Sequence, residues 1–475
     1  MKICFVLEGN YPYVRGGVST WVDEFIRSWP EDQFVLWTIS DLESNRGQFL
    51  YTLPDNVDSI VENFLGASFN LRINKNPNLK FTSEEQKAIS QLVRCGDPDW
   101  GVLLNLFHLH SNKPVEFFLS EEFLNILKDL AREKFPFASF SDLFWTVRSM
   151  FLPLFFLVGQ PMPEADMYHS PSTGYAGVLA GLASLKYNKP FVLTEHGIYT
   201  REREEEILRS DWVISYFKDY WISMYGMFAR FAYERANRVT SLYHRASLIQ
   251  QELGCREEKC DVVRNGLDFE LFSSIPEKSK DGWVDIAAIV RFAPIKDIKT
   301  MLYSFSRLKQ DYDKVRLHIV GGVDDEEYYQ ECLDLIEFLN LQDVFILGNV
   351  DVRVFLEKID FTVLTSISEG QPFAVLESMA AGRPVVATDV GCCRELIEGE
   401  VGDDFGRTGI CVPPMNQAGL VQALAEMCRN QENWKTMGEI GRKRVKTYYE
   451  INTVMGIYQE VYKKAVAAWQ ASVLN

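Results

Sequence analysis

Twelve short apolar runs alternate with segments of helical periodicity along this chain, six in each half. The first set falls at residues 3–7, 34–39, 165–169, 190–194, 238–242 and 261–263. The second falls at 284–290, 316–320, 344–347, 361–366, 384–388 and 409–412. Strands separated by helices cannot close as tight hairpins; they pair in parallel, and both sheet faces are covered by the crossovers. Each set suffices for one doubly wound domain. The spacing predicts an α/β chain of two Rossmann-like domains facing a cleft, the first over 1–268 and the second over 281–449. A Ser-, Pro- and Lys-containing linker runs between them at 269–280. Helical periodicity at about 83–150 interrupts the first set, a helical insertion with Ser83 as N-cap ahead of Glu84-Glu85-Gln86. Residues 450–475 read as one amphipathic helix (Val454, Ile457, Tyr458, Val461, Tyr462, Ala465), expected to pack back on the first domain.

Charge narrows the partners. A net charge of -17 on 475 residues argues against nucleic acid or an anionic membrane surface as the main partner. Nine cysteines without a CxxC form neither a disulfide framework nor a zinc site, so reduced buried thiols are expected. Met1-Lys2-Ile3-Cys4-Phe5 runs straight into a strand without a signal-peptide layout, which points to the cytoplasm. The uncharged Phe- and Leu-rich stretch between Arg148 and Glu164 is too short to span a bilayer and holds Pro153.

Candidate chemistry lies where strands end. Ser368-Glu369-Gly370-Gln371-Pro372-Phe373 follows the apolar run 361–366, and a second acid, Glu377, stands eight residues after Glu369. Pro372 suits the first turn of a helix over 374–381, and Gly382 closes it. Two carboxylates at the carboxyl end of a parallel strand can grip the hydroxyls of a polyol. The alternative is two acids satisfying a helix dipole. Arg291 and Lys296 stand in the turn after 284–290, where a forked guanidinium and a compact ammonium suit phosphate oxygens. Gly16-Gly17 precede a helix at Val18, allowing close backbone approach to a ligand and offering free amides to an oxyanion. Of six histidines, His169 and His196 end strands; His169 reads as structural and His196 as functional. No ligand set at metal spacing accompanies either, and Asp97-Pro98-Asp99 reads as a turn.

These motifs occur in the order Gly16-Gly17, Thr194-Glu195-His196-Gly197, Asn265-Gly266-Leu267-Asp268, Arg291 and Lys296, then Glu369 and Glu377. That order resembles the retaining GT-B enzymes of glycosyltransferase family 4. Asn265-Gly266-Leu267-Asp268 is similar to the family's interdomain turn, and Ala380-Ala381-Gly382-Arg383-Pro384-Val385-Val386-Ala387-Thr388 to another of its segments. More narrowly, Thr173-Gly174-Tyr175-Ala176-Gly177 and the run from Thr194 to Arg203 resemble a subfamily of cytoplasmic transferases of exopolysaccharide synthesis. The family's glycines around the basic pair are absent here, which bears on loop shape and not on charge.

The resemblance implies a hexosyltransferase that moves a hexose or N-acetylhexosamine, with retention, from UDP-glucose or a UDP-N-acetylhexosamine to a growing polysaccharide. It implies no cofactor and no metal. Glu377 would hold the ribose, Glu369 the transferred sugar, and amides near Gly370 and Phe373, within the segment that includes Gln371 and Pro372, its other hydroxyls. Arg291 and Lys296 would neutralise the departing diphosphate. Gly17 would offer its amide to the phosphate or acceptor, and His196 would touch the sugar. The expected partners are the nucleotide sugar, the polysaccharide acceptor and inner-membrane synthase proteins that recruit the chain to the cytoplasmic face, with no nucleic acid. The alternative is a nucleotide-sugar-binding scaffold subunit without transferase activity.

Overall fold

The computed structural model describes residues 1–69, 79–111, 113–400 and 402–474. The first sheet is built from β1 (Lys2–Glu8), β2 (Gln33–Ser40), β3 (Val57–Phe64), β4 (Met167–Ser170), β5 (Phe191–Glu195), β6 (Arg238–Ser241) and β7 (Cys260–Val262). The second contains β8 (Val284–Ile289), β9 (Val315–Val320), β10 (Val344–Gly348), β11 (Phe361–Leu364), β12 (Val385–Thr388) and β13 (Gly409–Val412). Their orders are β3-β2-β1-β4-β5-β6-β7 and β10-β9-β8-β11-β12-β13, with parallel pairing in both. The order reverses between β1 and β4 and again between β8 and β11. Ligands of open parallel sheets sit at such switch points, beyond the carboxyl ends of the strands.

β3 is the strand that the apolar pattern missed. Its sequence carries Asp58, Ser59, Glu62 and Asn63, and only its last two residues are buried. It pairs with β2 alone, at the edge, where one side faces water and no apolar run is needed.

The chain divides into two compact units, Met1–Val262 with Tyr458–Asn475, and Val263–Ile457. The division falls before residue 268, because residues after Val262 are bound into the second unit. Arg264 pairs with Glu400, the Asn265 amide donates to Gln371 Oε1 at 2.9 Å, and Leu267 bridges to Glu450. The expected linker therefore belongs to the second unit.

The insertion begins one residue earlier than Ser83 suggests. Thr82 is the N-cap of the helix Ser83–Val93, with Glu85 completing a reciprocal capping box. Its helices share one core with the sheet, since Leu92, Leu127, Val147 and Phe155 cluster with Val6 and Leu193. The helix Phe140–Val158 has 19 residues and is, by length and composition, apolar enough to cross a membrane. That corrects the expectation of a stretch too short to span. Met150, Phe151, Leu152, Leu154, Phe155, Leu157 and Val158 are nevertheless fully enclosed, which makes it a core helix of the first unit.

The helix Ile451–Leu474 starts in the second unit and ends in the first. Within the first unit Tyr462 Oη lies 2.7 Å from His169 Nδ1, and Lys464 pairs with Asp261 at 2.8 Å. All nine cysteines are free thiols.

Candidate active site

In the second unit, the loops leaving β8 and β11 are bonded to each other across the switch point. The chain after β8 forms a 3-10 turn, Pro294–Lys296, and Asp297 then takes a left-handed conformation to cap the helix Ile298–Leu308. From the other loop, Thr365 Oγ1 donates to the Lys296 and Asp297 carbonyls, at 2.9 and 3.1 Å. The Ile367 amide donates to the Ile295 carbonyl at 2.8 Å. These bonds bring Lys296 Nζ to 2.6 Å from Glu369 Oε1, an oxygen that also accepts from Ser366 Oγ at 2.6 Å. The Lys296 and Glu369 side chains are 18% and 13% exposed, so water screens the pair weakly.

Arg291 is held differently. It pairs with Asp324 at 2.5 Å, yet its side chain is 59% exposed. A pair of that kind contributes little to stability, and the guanidinium can exchange its carboxylate for a phosphate at small cost.

The loop after β11 is shaped by close packing. Gly391 has φ +55°, and a Cβ there would stand 2.1 Å from the Gly370 carbonyl oxygen and 2.4 Å from that of Glu369. Only glycine allows the β12 turn to approach so closely. Pro372 is the N-cap of the helix Phe373–Ala380 and lies just outside it, not within the first turn. No side chain caps this helix and no acid stands in its first turn, so the Phe373 and Ala374 amides remain available to a polar ligand. Glu377 lies half-buried one turn further along. Gln371 is committed elsewhere: its amide donates to the Asn265 carbonyl at 3.2 Å and accepts from the Asn265 N–H. Its side chain joins two loops, leaving its backbone as the part that can face a ligand.

In the first unit, Gly16 is the N-cap of the helix Gly17–Ser28, which also lacks a side-chain cap and a first-turn acid. A Cβ on Gly16 would meet nothing within 4 Å, so the approach to these amides is open. His196, just beyond β5, is half-buried, its ring edge-on to Trp21 at 4.5 Å. His169 is structural. It is enclosed between Tyr462 and Thr194, 2.8 Å from Thr194 Oγ1, and burial pushes its pKa down to about 3, so the ring stays neutral.

Sequence reasoning did not single out the two acids that shape this end of the first sheet. Glu8, ending β1, accepts from the Ala176 amide at 3.1 Å and from Tyr199 Oη at 2.8 Å. Glu195, ending β5, accepts from Tyr233 Oη at 2.6 Å and Gln250 Nε2 at 2.9 Å. Burial pushes both carboxyls above their ordinary range, against the pull of these donors. Together they anchor the segment that carries His196, because Tyr199 bonds to both: its hydroxyl to Glu8 and its amide to Glu195 at 3.4 Å. The signal available was their position as the last residue of a buried strand.

Two Rossmann-like parallel-sheet domains define the GT-B fold, and the second carries a cation–carboxylate pair at its switch point. The chain belongs to the family described as Domain of unknown function (DUF3492), whose model matches residues 1–258. Residues 273–444 match Glycosyl transferases group 1, so the second unit carries a group 1 transferase domain. It is 26% identical to the MMP alpha-(1->4)-mannosyltransferase of Mycolicibacterium hassiacum over 286 residues, 59% of this chain and 67% of that one. It is 25% identical to the N-acetyl-alpha-D-glucosaminyl L-malate synthase of Bacillus anthracis over 244 residues, 49% of this chain and 61% of that one. The chain thus spans about two-thirds or less of the length of these relatives. Among solved structures, Anabaena HepE in complex with UDP and glucose superposes with a TM-score of 0.59 at 16% identity, covering 98% of this chain and 99% of that one. Sucrose-phosphate synthase from Thermosynechococcus elongatus superposes with a TM-score of 0.62 at 15% identity, covering 98% and 99%. At such identities the likeness concerns the fold.

Proposed function

We propose that the chain is a retaining, metal-independent transferase of the PelF kind, moving a hexose or N-acetylhexosamine from a UDP-sugar to a growing exopolysaccharide at the cytoplasmic face of the inner membrane. The observation that carries the reading is the Lys296–Glu369 pair beside the exposed Arg291 at the switch point of the second sheet. The arrangement supplies two cations for a diphosphate and a carboxylate for sugar hydroxyls within adjoining loops. HepE, which shares the fold, was crystallised with UDP and with UDP-glucose, and this supports a uridine nucleotide as donor.

In this reading Glu377 takes the ribose hydroxyls, and Glu369 with the amides near Gly370 and Phe373 takes the sugar. Arg291 and Lys296 stabilise the charge that develops on the leaving diphosphate. The bond from the anomeric carbon to the diphosphate oxygen breaks, and the acceptor oxygen bonds to that carbon on the same face. The acceptor's proton passes to the departing diphosphate, so no protein base is required. His196 and the amides at Gly16 and Gly17 serve the sugar and the acceptor or phosphate.

The test is a donor screen with purified protein, with and without EDTA, followed by NMR of the product's anomeric centre. Retained configuration and EDTA-insensitive turnover support the reading. An inverted linkage would exclude the same-face mechanism, and donor binding without transfer or hydrolysis would leave only a scaffold role.

A further inference from the structure

At the opposite end of the first sheet from His196, a cavity of about 660 Å³ opens beside the amino ends of β5, β6 and β7. Its size is that of a small-molecule site. Four cations line it, Arg235, Arg238, Arg256 and Lys259, against two carboxylates, Glu234 and Glu258. In a chain of net charge -17 such an excess is local and unusual.

The ion pairs are unevenly shared. Arg256 pairs with Glu258 at 3.3 Å, and Arg238 lies 3.5 Å from Asp261. Arg235 and Lys259 form no ion pair among the described residues. Arg235 donates to Ser184 Oγ at 3.2 Å, and its Nε is buried without a hydrogen-bond partner. Lys259 is only 9% exposed, its ammonium donating to the carbonyls of Tyr233 at 3.0 Å and Glu234 at 2.6 Å.

A lysine closing the end of the helix Lys218–Arg235 in this way is an ordinary structural device. It accounts for two of the three ammonium hydrogens and for one of the four cations. It does not explain why Arg235 and Arg256 line the same cavity as that ammonium. Burial, then the neighbouring Arg256 and Arg235 charges, push the Lys259 pKa down to about 8. Like charges gathered at a concave, partly dry surface are stabilised by an anion placed among them.

The rest of the wall is not basic. Ala468, Trp469 and Val473 come from the last helix, and Trp469 is fixed by its indole N–H, which donates to Asn188 Oδ1 at 3.2 Å. An aromatic and aliphatic wall facing a cationic one suits a ligand with an anionic head and an organic body.

We propose that this cavity binds a phosphate monoester, whose phosphate meets Arg235, Arg256 and Lys259 and whose body lies against Trp469. The site is separate from the donor groups of the second unit and does not depend on how those are read.

The test is calorimetry on the full chain with glucose 6-phosphate, inorganic phosphate and glucose as probes, in wild type and in Arg235→Gln, Arg256→Gln, Trp469→Phe and Lys296→Ala. Wild type and Lys296→Ala are expected to bind glucose 6-phosphate saturably and more tightly than inorganic phosphate, with no binding of glucose. Each Arg→Gln change should weaken binding about tenfold, the loss of roughly one charge-assisted bond. Arg256 is exposed, so its variant folds even if Arg235→Gln does not. Trp469→Phe should reduce affinity for glucose 6-phosphate and leave that for inorganic phosphate unchanged. Absence of saturable binding overturns the proposal. So does binding that Lys296→Ala abolishes and Arg256→Gln spares, because the anion would then sit in the second unit. Equal affinity for the two phosphates overturns the placement of an organic body at Trp469.

Discussion

Lys296 Nζ stands 2.6 Å from Glu369 Oε1, so two of the candidate catalytic groups of the second unit are each other's ion-pair partners. The pair holds the ammonium in place before any ligand arrives, and a preorganised charge costs no rearrangement during reaction. Lys296→Ala is expected to lower kcat by about 100-fold or more, the scale of losing one electrostatic stabiliser of a transition state. Glu369→Ala should do likewise, through the loss of a sugar contact and the release of Lys296. Turnover of the best nucleotide sugar, measured beside thermal unfolding of each variant, checks both; unchanged turnover removes the residue from the site.

Gly391 offers a test of loop shape without touching a charge. Alanine there would strain a φ of +55° and drive a methyl against the Gly370 and Glu369 carbonyl oxygens. The left-handed conformation alone costs roughly 1–2 kcal/mol. Displacing the loop moves Glu369, and Gly391→Ala should therefore lower kcat together with the melting temperature. A variant with normal kcat would show that the loop's position is not critical.

Gln371 is expected to behave as a stability residue. Truncation leaves the Asn265 N–H and C=O, both enclosed, without their partners. An unsatisfied buried group costs about 1–3 kcal/mol. Gln371→Ala should shift the urea midpoint of the second unit by a corresponding amount, with kcat falling far less than in Lys296→Ala.

That contrast bears on what the sequence could disclose. Parallel strands of the sheet interiors are buried and appear as apolar runs, and the partly exposed edge strands β7 and β10 kept enough apolar residues to be legible, while edge-strand β3 carried too many polar residues to be seen. Glu369 and Lys296 were legible as strand-end residues, but their direct pairing joins positions 73 apart and has no local signature. Gln371 illustrates the same limit. Inside a ligand-like motif it reads as a ligand group, and only its bond to Asn265, 106 residues away, reveals that the side chain is a brace. The domain boundary was misplaced for the same reason, because long-range bonds, not composition, bind the residues after Val262 to the second unit.

The amino end of the second sheet carries the most heavily shared carboxylate among the described residues. Asp285, with 3% of its side chain exposed, lies 2.6 Å from Arg316, 2.5 Å from Lys278 and 2.8 Å from His318. Burial raises its pKa, but hydrogen bonds from His318, Arg316 and Lys278 outweigh burial and hold the carboxyl well below the usual range. Since the folded value lies below the unfolded one, the contribution to stability is fully present above about pH 4, the ordinary range of Asp. It is lost progressively as the pH falls below that range toward the folded value. Asp285→Asn leaves Lys278 and Arg316 without this partner, and breaking a buried pair typically costs about 3–5 kcal/mol. Urea unfolding followed at several pH values should show a large destabilisation of Asp285→Asn at pH 7 that narrows toward pH 2.5. A gap of constant size across that range would show that Asp285 is not the group linking acid to unfolding.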